Sequence, residues 1–236
     1  MYRELSLVLD GVPREAPASR YREAIVEENL LGKATRSTRI RTAEHLTALY
    51  ALDPSLTLFR LLRHFWAADQ AGKPMLAFLA ASGRDILLRD CTDYVLAVPR
   101  GEGVDAAGIA QSLSERYPSR FKPTTLHSTA QNLASSWTQA GYLTGKVAKR
   151  RGQPVVTPQV VTYALVLSYL SGLRGKLLLE SVWARLLDRS PSEVMEFAVE
   201  ASKQGWLRLK AAGAVVEVTF PGLLTPAEER LAHEPD

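Results

Sequence analysis

Residues 123–153 have the sequence PTTLHSTAQNLASSWTQAGYLTGKVAKRRGQ, which predicts a helix followed by a basic hairpin. Its first part predicts a helix over residues 123–140. Pro123 suits a first helical position, and Gly141 suits the left-handed residue that ends a helix. The apolar residues recur at the spacing of one helical face, which predicts a buried stripe. They are Leu126, Ala130, Leu133, Ala134 and Trp137.

The other side of this helix is polar and carries no carboxylate. Hydroxyl, amide and imidazole groups can exchange hydrogen bonds with base edges in a DNA major groove. We therefore take six of these side chains as candidates for contacts in the groove. They are Thr124, Thr125, His127, Ser128, Gln131 and Asn132.

A basic hairpin is predicted after Gly141, and a shorter helix that starts near Val104 precedes the polar-faced helix. Helix, turn, helix and basic hairpin are the plan of a winged helix, whose second helix enters the major groove. The cations of the hairpin are expected to contact the DNA backbone or the minor groove. They are Lys146, Lys149, Arg150 and Arg151.

The distribution of charge supports this interpretation. No Asp or Glu occurs between Glu115 and Glu180, although the whole chain has a net charge of only +4. Carboxylates would repel a polyanion held by Lys and Arg, so their absence favours binding to DNA or RNA. The alternative is a basic surface without a partner. The cations in the interval are Arg116, Arg120, Lys122, Lys146, Lys149, Arg150, Arg151, Arg174 and Lys176.

Length and composition set the class of protein. A chain of 236 residues predicts one large or two small domains. The lone Cys91 excludes an internal disulfide and suits a reducing cytoplasm. The scattered histidines lack zinc spacing, so no metal or cofactor is expected. No signal peptide is visible, and the most apolar run, residues 160–170, is far shorter than a membrane span. We expect a soluble, cytoplasmic protein.

The N-terminal segment is predicted to begin with a short strand or extended arm over residues 5–9. A helix capped near Ser19 should end at Gly32. Two more helices are predicted, one starting at Asp53 and one over residues 75–88. The wide apolar face of the helix that starts at Asp53 places it in a core.

A basic segment rich in hydroxyl groups, residues 33–41, separates the first helices. Ser37 or Thr38 is expected to cap the helix that follows. Arg36 and Arg39 share a helical face at its start, where free backbone N–H groups attract anions, so they form a candidate phosphate clamp. A solvated helix start is an equally good interpretation.

The Pro/Gly-containing segment at residues 99–103 is the best candidate for a domain boundary. It leads to the prediction of three units. These are an N-terminal helical domain with the basic segment at residues 1–98, a basic winged helix at residues 104–157, and a second winged-helix-like module with a tail at residues 158–236.

The third unit repeats the plan of helices followed by a hairpin. An apolar helix capped by Thr157 is predicted over residues 159–171, and one further helix over residues 177–187. Ser190 begins a capping box with Pro at the first helical position, a specific helix start. Residues 207–220 alternate in hydrophobicity around Gly213 and predict a β-hairpin.

This second module is not expected to bind DNA. Its candidate recognition helix carries Glu193, Glu196 and Glu200 against Lys203. An acidic face opposes phosphate, so we expect this copy to pack on protein. The residues after Pro221 are predicted to form a polar, frayed tail.

No catalytic motif is convincing. The stretch from Gly141 to Lys146 has too few residues between its glycines for a phosphate loop and no hydroxyl residue after the lysine. No Gly-x-Ser-x-Gly elbow occurs, and Cys91 has no motif-placed histidine. The sequence therefore predicts a protein that is not an enzyme.

The chain resembles the BrxA family of BREX phage-defence systems over most of residues 19–150. The resemblance is carried by Glu28-Asn29-Leu30-Leu31 before the basic segment, by the next helix ending near Leu52-Asp53, and by the helix end at Trp137…Gly141-Tyr142-Leu143. It implies a small, mostly helical, cytoplasmic DNA-binding protein without catalysis. It also implies action beside a BREX methyltransferase and other BREX proteins.

We therefore expect a mainly α protein, with a helical domain plus winged helix-turn-helix modules that have short β-hairpin wings. We expect it to bind double-stranded DNA mainly through backbone phosphates. One alternative is a sequence-specific transcription regulator, and another is a protein-interaction scaffold whose basic face meets an acidic partner. RNA binding also stays open, and the sequence does not indicate an oligomeric state.

Overall fold

A computed structural model describes residues 1–146, 148–213 and 215–233. The described chain is mainly helical, with two small antiparallel hairpins, which confirms the predicted fold class at that level. Residues 234–236, the end of the predicted third unit, lie outside the described residues.

The helices come in two groups along the chain. The first group is α1 (Tyr2–Gly11), α2 (Ala18–Val26), α3 (Arg36–Tyr50), α4 (Thr57–Ala68), α5 (Lys73–Arg84), α6 (Ile86–Asp90), α7 (Thr92–Ala97), α8 (Ala106–Arg116) and α9 (Pro123–Gln139). A hairpin of β1 (Leu143–Thr144) and β2 (Arg150–Arg151) follows. The second group is α10 (Pro158–Leu170), α11 (Leu177–Glu180), α12 (Val182–Arg185) and α13 (Pro191–Lys203), then β3 (Arg208–Ala212), β4 (Val215–Thr219) and α14 (Pro226–His233).

The N-terminus is a helix, so the predicted strand or arm at residues 5–9 was wrong. Leu5, Val8, Leu9 and Val12 are all buried, and their spacing is that of one helical face. The short apolar run alone did not distinguish a strand from a helix. Leu7 and Val8 decide between them, because a strand would place Leu7 on the same face as Leu5 and Leu9, yet Leu7 is 43% exposed and Val8 is buried.

Four helix starts differ from the prediction. Helix α2 starts at Ala18 with Pro17, rather than Ser19, at its N-cap, and it ends at Val26 rather than at Gly32. Thr35, rather than Ser37 or Thr38, caps α3, because its hydroxyl accepts a hydrogen bond from the Thr38 N–H at 3.2 Å. Helix α4 starts at Thr57, since Asp53 instead accepts hydrogen bonds from Ser55 in a turn. The helix predicted over residues 75–88 is divided into α5 and α6 by Asp85, which caps α6.

Helix α10 lies at the centre of the fold and contacts α4, α5, α12, α13 and α14. Every residue from Val160 to Tyr169 is buried, as expected for a helix that is apolar on all sides. Thr157 caps it as predicted. Gly72 lets α5 start close to α10, because a Cβ atom there would overlap the Asp69 carboxylate and a methyl group of Val160.

The C-terminal part confirms the local predictions better than the N-terminal part does. Both hydrogen bonds of the capping box between Ser190 and Glu193 are present. The predicted hairpin is β3 and β4, with Leu209 opposite Val218. The helix predicted over residues 177–187 is instead two short helices, α11 and α12, because Ser181 is extended and caps the second.

The buried apolar side chains of the described chain form one contiguous cluster that includes residues of all three predicted units. The segment at residues 99–103 is not a free linker. The Gly101 N–H donates to the Arg151 carbonyl at 2.8 Å, and the Val104 N–H donates to the Lys149 carbonyl at 2.9 Å. The start of the second unit is therefore tied to its own hairpin.

The predicted frayed tail was also wrong, because residues 226–233 form α14 against α4. Arg60 Nη2 lies 2.7 Å from a Glu228 carboxylate oxygen, and the Thr57 hydroxyl also donates to Glu228. Partial burial acts to raise the pKa of Glu228. Hydrogen bonds from the Thr225 backbone, Thr57 and Arg60 outweigh it and lower the pKa from 4.5 to about 2.

This pairing predicts a pH-dependent contribution to stability. The folded-state pKa of Glu228 is depressed, so its contribution is full above the unfolded pKa near 4.5 and is lost as pH falls toward about 2. We expect Glu228→Gln to lower the urea midpoint at pH 7. The difference in urea midpoint between this variant and the wild type should become smaller as pH falls from 4.5 to 2. Glu229→Gln, on the same helix, is the control. Parallel pH profiles for wild type and Glu228→Gln would contradict the assignment.

Candidate nucleic-acid interface

Helices α8 and α9 pack tightly on each other and place the polar face of α9 in solvent. Asp105 caps α8 by accepting from the Gly108 N–H at 2.8 Å. Pro123 begins α9, as predicted. Ala130, Leu133 and Trp137 are buried, so the predicted apolar stripe faces the core.

All six predicted groove residues of α9 are exposed, but they differ in their hydrogen bonds. His127 and Gln131 bond to each other at 3.0 Å. The Ser128 hydroxyl donates to the carbonyl oxygens of Thr124 and Thr125. In the described chain the Asn132 side chain has no partner, so its amide is free for a ligand.

The hairpin after α9 is short and lies beside a third segment. Leu143 is opposite Arg151, and Thr144 is opposite Arg150. Gly103 bridges Arg150 on the other side, so residues 101–104 form an additional edge. In chain order the unit is therefore a bridging segment, two helices and a hairpin.

Gly145 makes the turn of the hairpin possible. Its φ is +95°, and a Cβ atom there would overlap the carbonyl oxygen of Ala148. The turn leaves Lys146 and Arg150 exposed and Lys149 half-buried. Arg150 donates from Nη1 to the Gly101 carbonyl at 2.8 Å. None of these three cations has an ion-pair partner within the described residues.

An aromatic cluster fixes the hairpin to the rest of the protein. The Tyr142 ring lies 4.5 Å from Trp137 and 5.2 Å from Phe78, measured between ring centroids. The Tyr142 hydroxyl donates to the carbonyl of Leu186 in the C-terminal part. Complete burial raises the pKa of Tyr142 well above its usual value, so this hydroxyl stays protonated.

Arg151 does not belong to the exposed cations, which corrects its assignment as a phosphate contact. The side chain is 1% exposed, and its Nη2 lies 2.9 Å from the Asp188 carboxylate. Its Nε donates to the Val95 carbonyl at 3.0 Å, and the guanidinium lies over the Tyr142 ring. A charge with these partners cannot also meet a phosphate.

Four of the five remaining cations between Glu115 and Glu180 divide into those that bind protein groups and those that have no acidic partner. Arg116 pairs with Asp90 at 2.7 Å, and Arg174 donates to backbone carbonyls, including that of Tyr169. Arg120 lies over the rings of Tyr117 and Phe121 and has no acidic partner in the described chain. Lys122, at the start of α9, is exposed.

Five cations of this unit are therefore neutralised by no carboxylate of the described chain: Arg120, Lys122, Lys146, Lys149 and Arg150. The site predicted from the sequence did not include Arg120 or Lys122. The signal that pointed to them was the absence of carboxylates from residues 116–179.

The proposed clamp of Arg36 and Arg39 is already occupied by protein groups. Arg36 pairs with Glu27 at 2.6 Å, and Arg39 Nη1 donates to the Val26 carbonyl at 2.9 Å. Arg39 thus holds the end of α2. The bond of Arg39 belongs to the packing of α2 on α3, and the charge of Arg36 is already paired with Glu27 at the surface, so neither side chain is kept as a candidate DNA contact.

The second module presents the acidic helix face that its sequence predicted. Glu193 is engaged in the capping box, while Glu196 and Glu200 are exposed on α13. Glu200 lies 3.7 Å from Lys203, and the hairpin cation Lys210 lies 3.5 Å from Glu217. Two carboxylates of this module, Glu200 and Glu217, are therefore paired with its own lysines, while Glu196 has no ion-pair partner among the described residues.

No family model, curated protein or solved structure matches the chain. No helix among the described residues is both long and apolar enough to cross a membrane. In the same residues no group of three or more His, Cys, Asp or Glu side chains is placed to hold a metal ion.

The burial of Arg151 predicts a difference between neighbouring cations of the hairpin. We expect Arg151→Ala to lower the free energy of unfolding by about 3 kcal/mol, because it leaves Asp188 with only the exposed Arg100, at 3.5 Å, as an ion-pair partner. Lys149→Ala and Arg150→Ala, the matched controls, should change it by less than about 0.5 kcal/mol. Urea unfolding followed by circular dichroism measures all three, and equal stabilities would show that the pair is not buried in solution.

Proposed function

We propose that the chain is a DNA-binding protein that holds double-stranded DNA mainly through backbone phosphates and performs no catalysis. The observation that supports it best is the pairing of two surfaces in one small unit. The uncharged polar face of α9 precedes a hairpin whose cations Lys146, Lys149 and Arg150 have no acidic partner in the described chain. Hydrogen-bonding groups next to such cations suit a nucleic acid better than a small ligand.

The order of elements supports a winged helix-turn-helix unit. A bridging segment, α8, α9 and an antiparallel hairpin follow one another, and the segment at residues 101–104 lies beside β2. In such a unit the second helix enters the major groove and the hairpin contacts the backbone. Helix α9 would then present Thr124, Gln131 and Asn132 to the bases, and the hairpin would meet phosphates.

The cations that have no acidic partner support contacts with DNA that do not depend on the base sequence. Lys146, Lys149, Arg120 and Lys122 have no acidic partner in the described chain, and lysines bind phosphate as point charges. By contrast, the side-chain amides on α9 are few. We therefore favour general DNA binding over a sequence-specific regulator, which a footprint at one operator would favour instead.

The resemblance to the BrxA family supports a role beside other BREX proteins in phage defence, in the cytoplasm. A protein-interaction scaffold is the competing function. It predicts that the basic surface binds an acidic protein and that no nucleic acid binds even at low salt. Assays with duplex DNA, single strands and RNA of equal length separate these functions.

The hairpin provides the main test. We expect the triple variant Lys146→Ala, Lys149→Ala and Arg150→Ala to weaken binding to every duplex tested. The slope of log affinity against log salt should fall in magnitude by about 0.9 for each phosphate that the variant no longer neutralises. Fluorescence anisotropy with one labelled duplex over a range of salt concentrations measures both quantities.

A charge-matched control comes from the second module. Lys203→Ala, Arg208→Ala and Lys210→Ala remove the same charge but should leave the salt slope unchanged. If both triple variants weaken binding equally, net charge rather than the hairpin controls affinity. If neither does, the proposed site is wrong.

The acidic helix gives an independent prediction. Glu196→Ala should leave DNA affinity unchanged or raise it slightly, because a carboxylate near a phosphate is repelled. Its side chain is exposed and has no ion-pair partner among the described residues. A large decrease in DNA affinity of a folded Glu196→Ala protein would show that the second module also contacts DNA.

A further inference from the structure

A groove runs between α3 of the N-terminal part and the C-terminal half of α9. It has a volume of about 420 Å³ and lies open to solvent along one side. His45 and Ala48 line it from α3, and Asn132, Ser135 and Gln139 line it from α9. The polar face of α9 therefore continues onto a second helix that is distant in sequence.

The α3 side of the groove carries free basic groups. His45 is exposed and lines the groove. Arg41 is exposed and precedes His45 by four residues, so both side chains project from the same side of α3. Neither has a hydrogen bond or ion-pair partner in the described chain, in contrast to Arg36 and Arg39 on the same helix.

The end of the groove is also basic. Arg84, at the last turn of α5, donates from Nε to the Ala48 carbonyl at 2.7 Å. This bond fixes the guanidinium group beside the groove, and its other N–H groups have no partner among the described residues. The carboxylate that lines the groove is Asp85, whose Oδ1 already accepts from the N–H groups of Leu87 and Leu88.

The α9 side supplies neutral donors and an apolar floor. The Asn132 amide is free within the described chain, whereas Gln139 accepts from the Tyr2 N–H at 2.8 Å and donates to Ser135. Leu49 and Leu133 form the floor. A phosphodiester strand has charged groups at its edge and apolar sugar faces, which match basic rims over an apolar floor.

We propose that this groove binds the sugar-phosphate backbone of the same duplex that α9 and the hairpin hold, with Arg41 and His45 as contacts from α3 and Asn132 as the contact from α9. The proposal rests on the DNA-binding function of α9. It replaces Arg36 and Arg39 with a different face of the same helix and joins the N-terminal helices to the DNA surface.

The first test measures affinity and salt dependence with the full chain and a labelled duplex of mixed sequence, roughly 20 base pairs or two DNA turns long. We expect Arg41→Ala with His45→Ala to weaken binding by at least about fivefold at low salt and to reduce the slope by about 0.9. Arg36→Ala removes a positive charge from the same helix, next to Glu27, and should leave both quantities unchanged.

The second test detects the contact directly. Cys91 is fully buried, and burial raises the pKa of its thiol to about 12, so a new surface cysteine can be labelled selectively. We expect His45→Cys carrying a photocrosslinker to form a covalent adduct with the duplex. Glu23→Cys, at an exposed position of α2 outside the groove, is the control and should form none.

The outcomes separate this proposal from the proposed function. If the wild type binds no duplex, the DNA-binding function fails and the groove proposal fails with it. If the wild type and the Arg41/His45 variant bind equally while the hairpin variant is weakened, only the groove proposal is overturned. A crosslink at position 45 together with the reduced salt slope supports it, and crosslinking at Glu23→Cys of equal yield contradicts it.

Discussion

The hairpin after α9 depends on the buried ion pair between Arg151 and Asp188. Two charges are costly to remove from water, and this pair is compensated by additional partners: the Val95 carbonyl and the Tyr142 ring on the arginine side. The Tyr142 hydroxyl adds a second connection, to the carbonyl of Leu186. Both connections join the hairpin to residues that lie between α12 and α13. The orientation of the free cations on the hairpin is therefore set by the C-terminal part of the chain, although that part has an acidic helix face of its own.

Local signals in the sequence predicted the elements well. The capping box at Ser190, the cap at Thr157 and the helix from Pro123 each depend on residues within one or two turns. The apolar helix α10 was identified as buried because it has no polar side. The second hairpin followed from alternation on both sides of Gly213. The strand predicted at residues 5–9 failed because a short apolar run fits both periods, and the missing information was that Leu7 faces solvent while Val8 is buried.

The candidate site was predicted less completely, because charge alone does not reveal a partner. Lys149, Arg150 and Arg151 are adjacent in sequence, but strand alternation sends Arg151 into the core toward Asp188. Arg36 and Arg39 carry the same charge as Arg41, yet Glu27 and the Val26 carbonyl engage the first two. These partners are distant in sequence from the residues they bind, and no periodic pattern reports them. The exposure of the α9 face did follow from its helical period.

The bridge between Gly103 and Arg150 has a consequence for how the chain reaches this structure. It joins the two ends of a unit whose helices lie between them, so the backbone hydrogen bonds of residues 101–104 form only after Lys149 and Arg151 are available. Contacts between distant residues have a large loop-closure entropy and form late in folding. In a chain that emerges from the ribosome, α8 and α9 can therefore form before the hairpin of β1 and β2 pairs with residues 101–104. The ion pair that attaches the hairpin to the C-terminal part forms later still, because Asp188 is synthesised after Arg151.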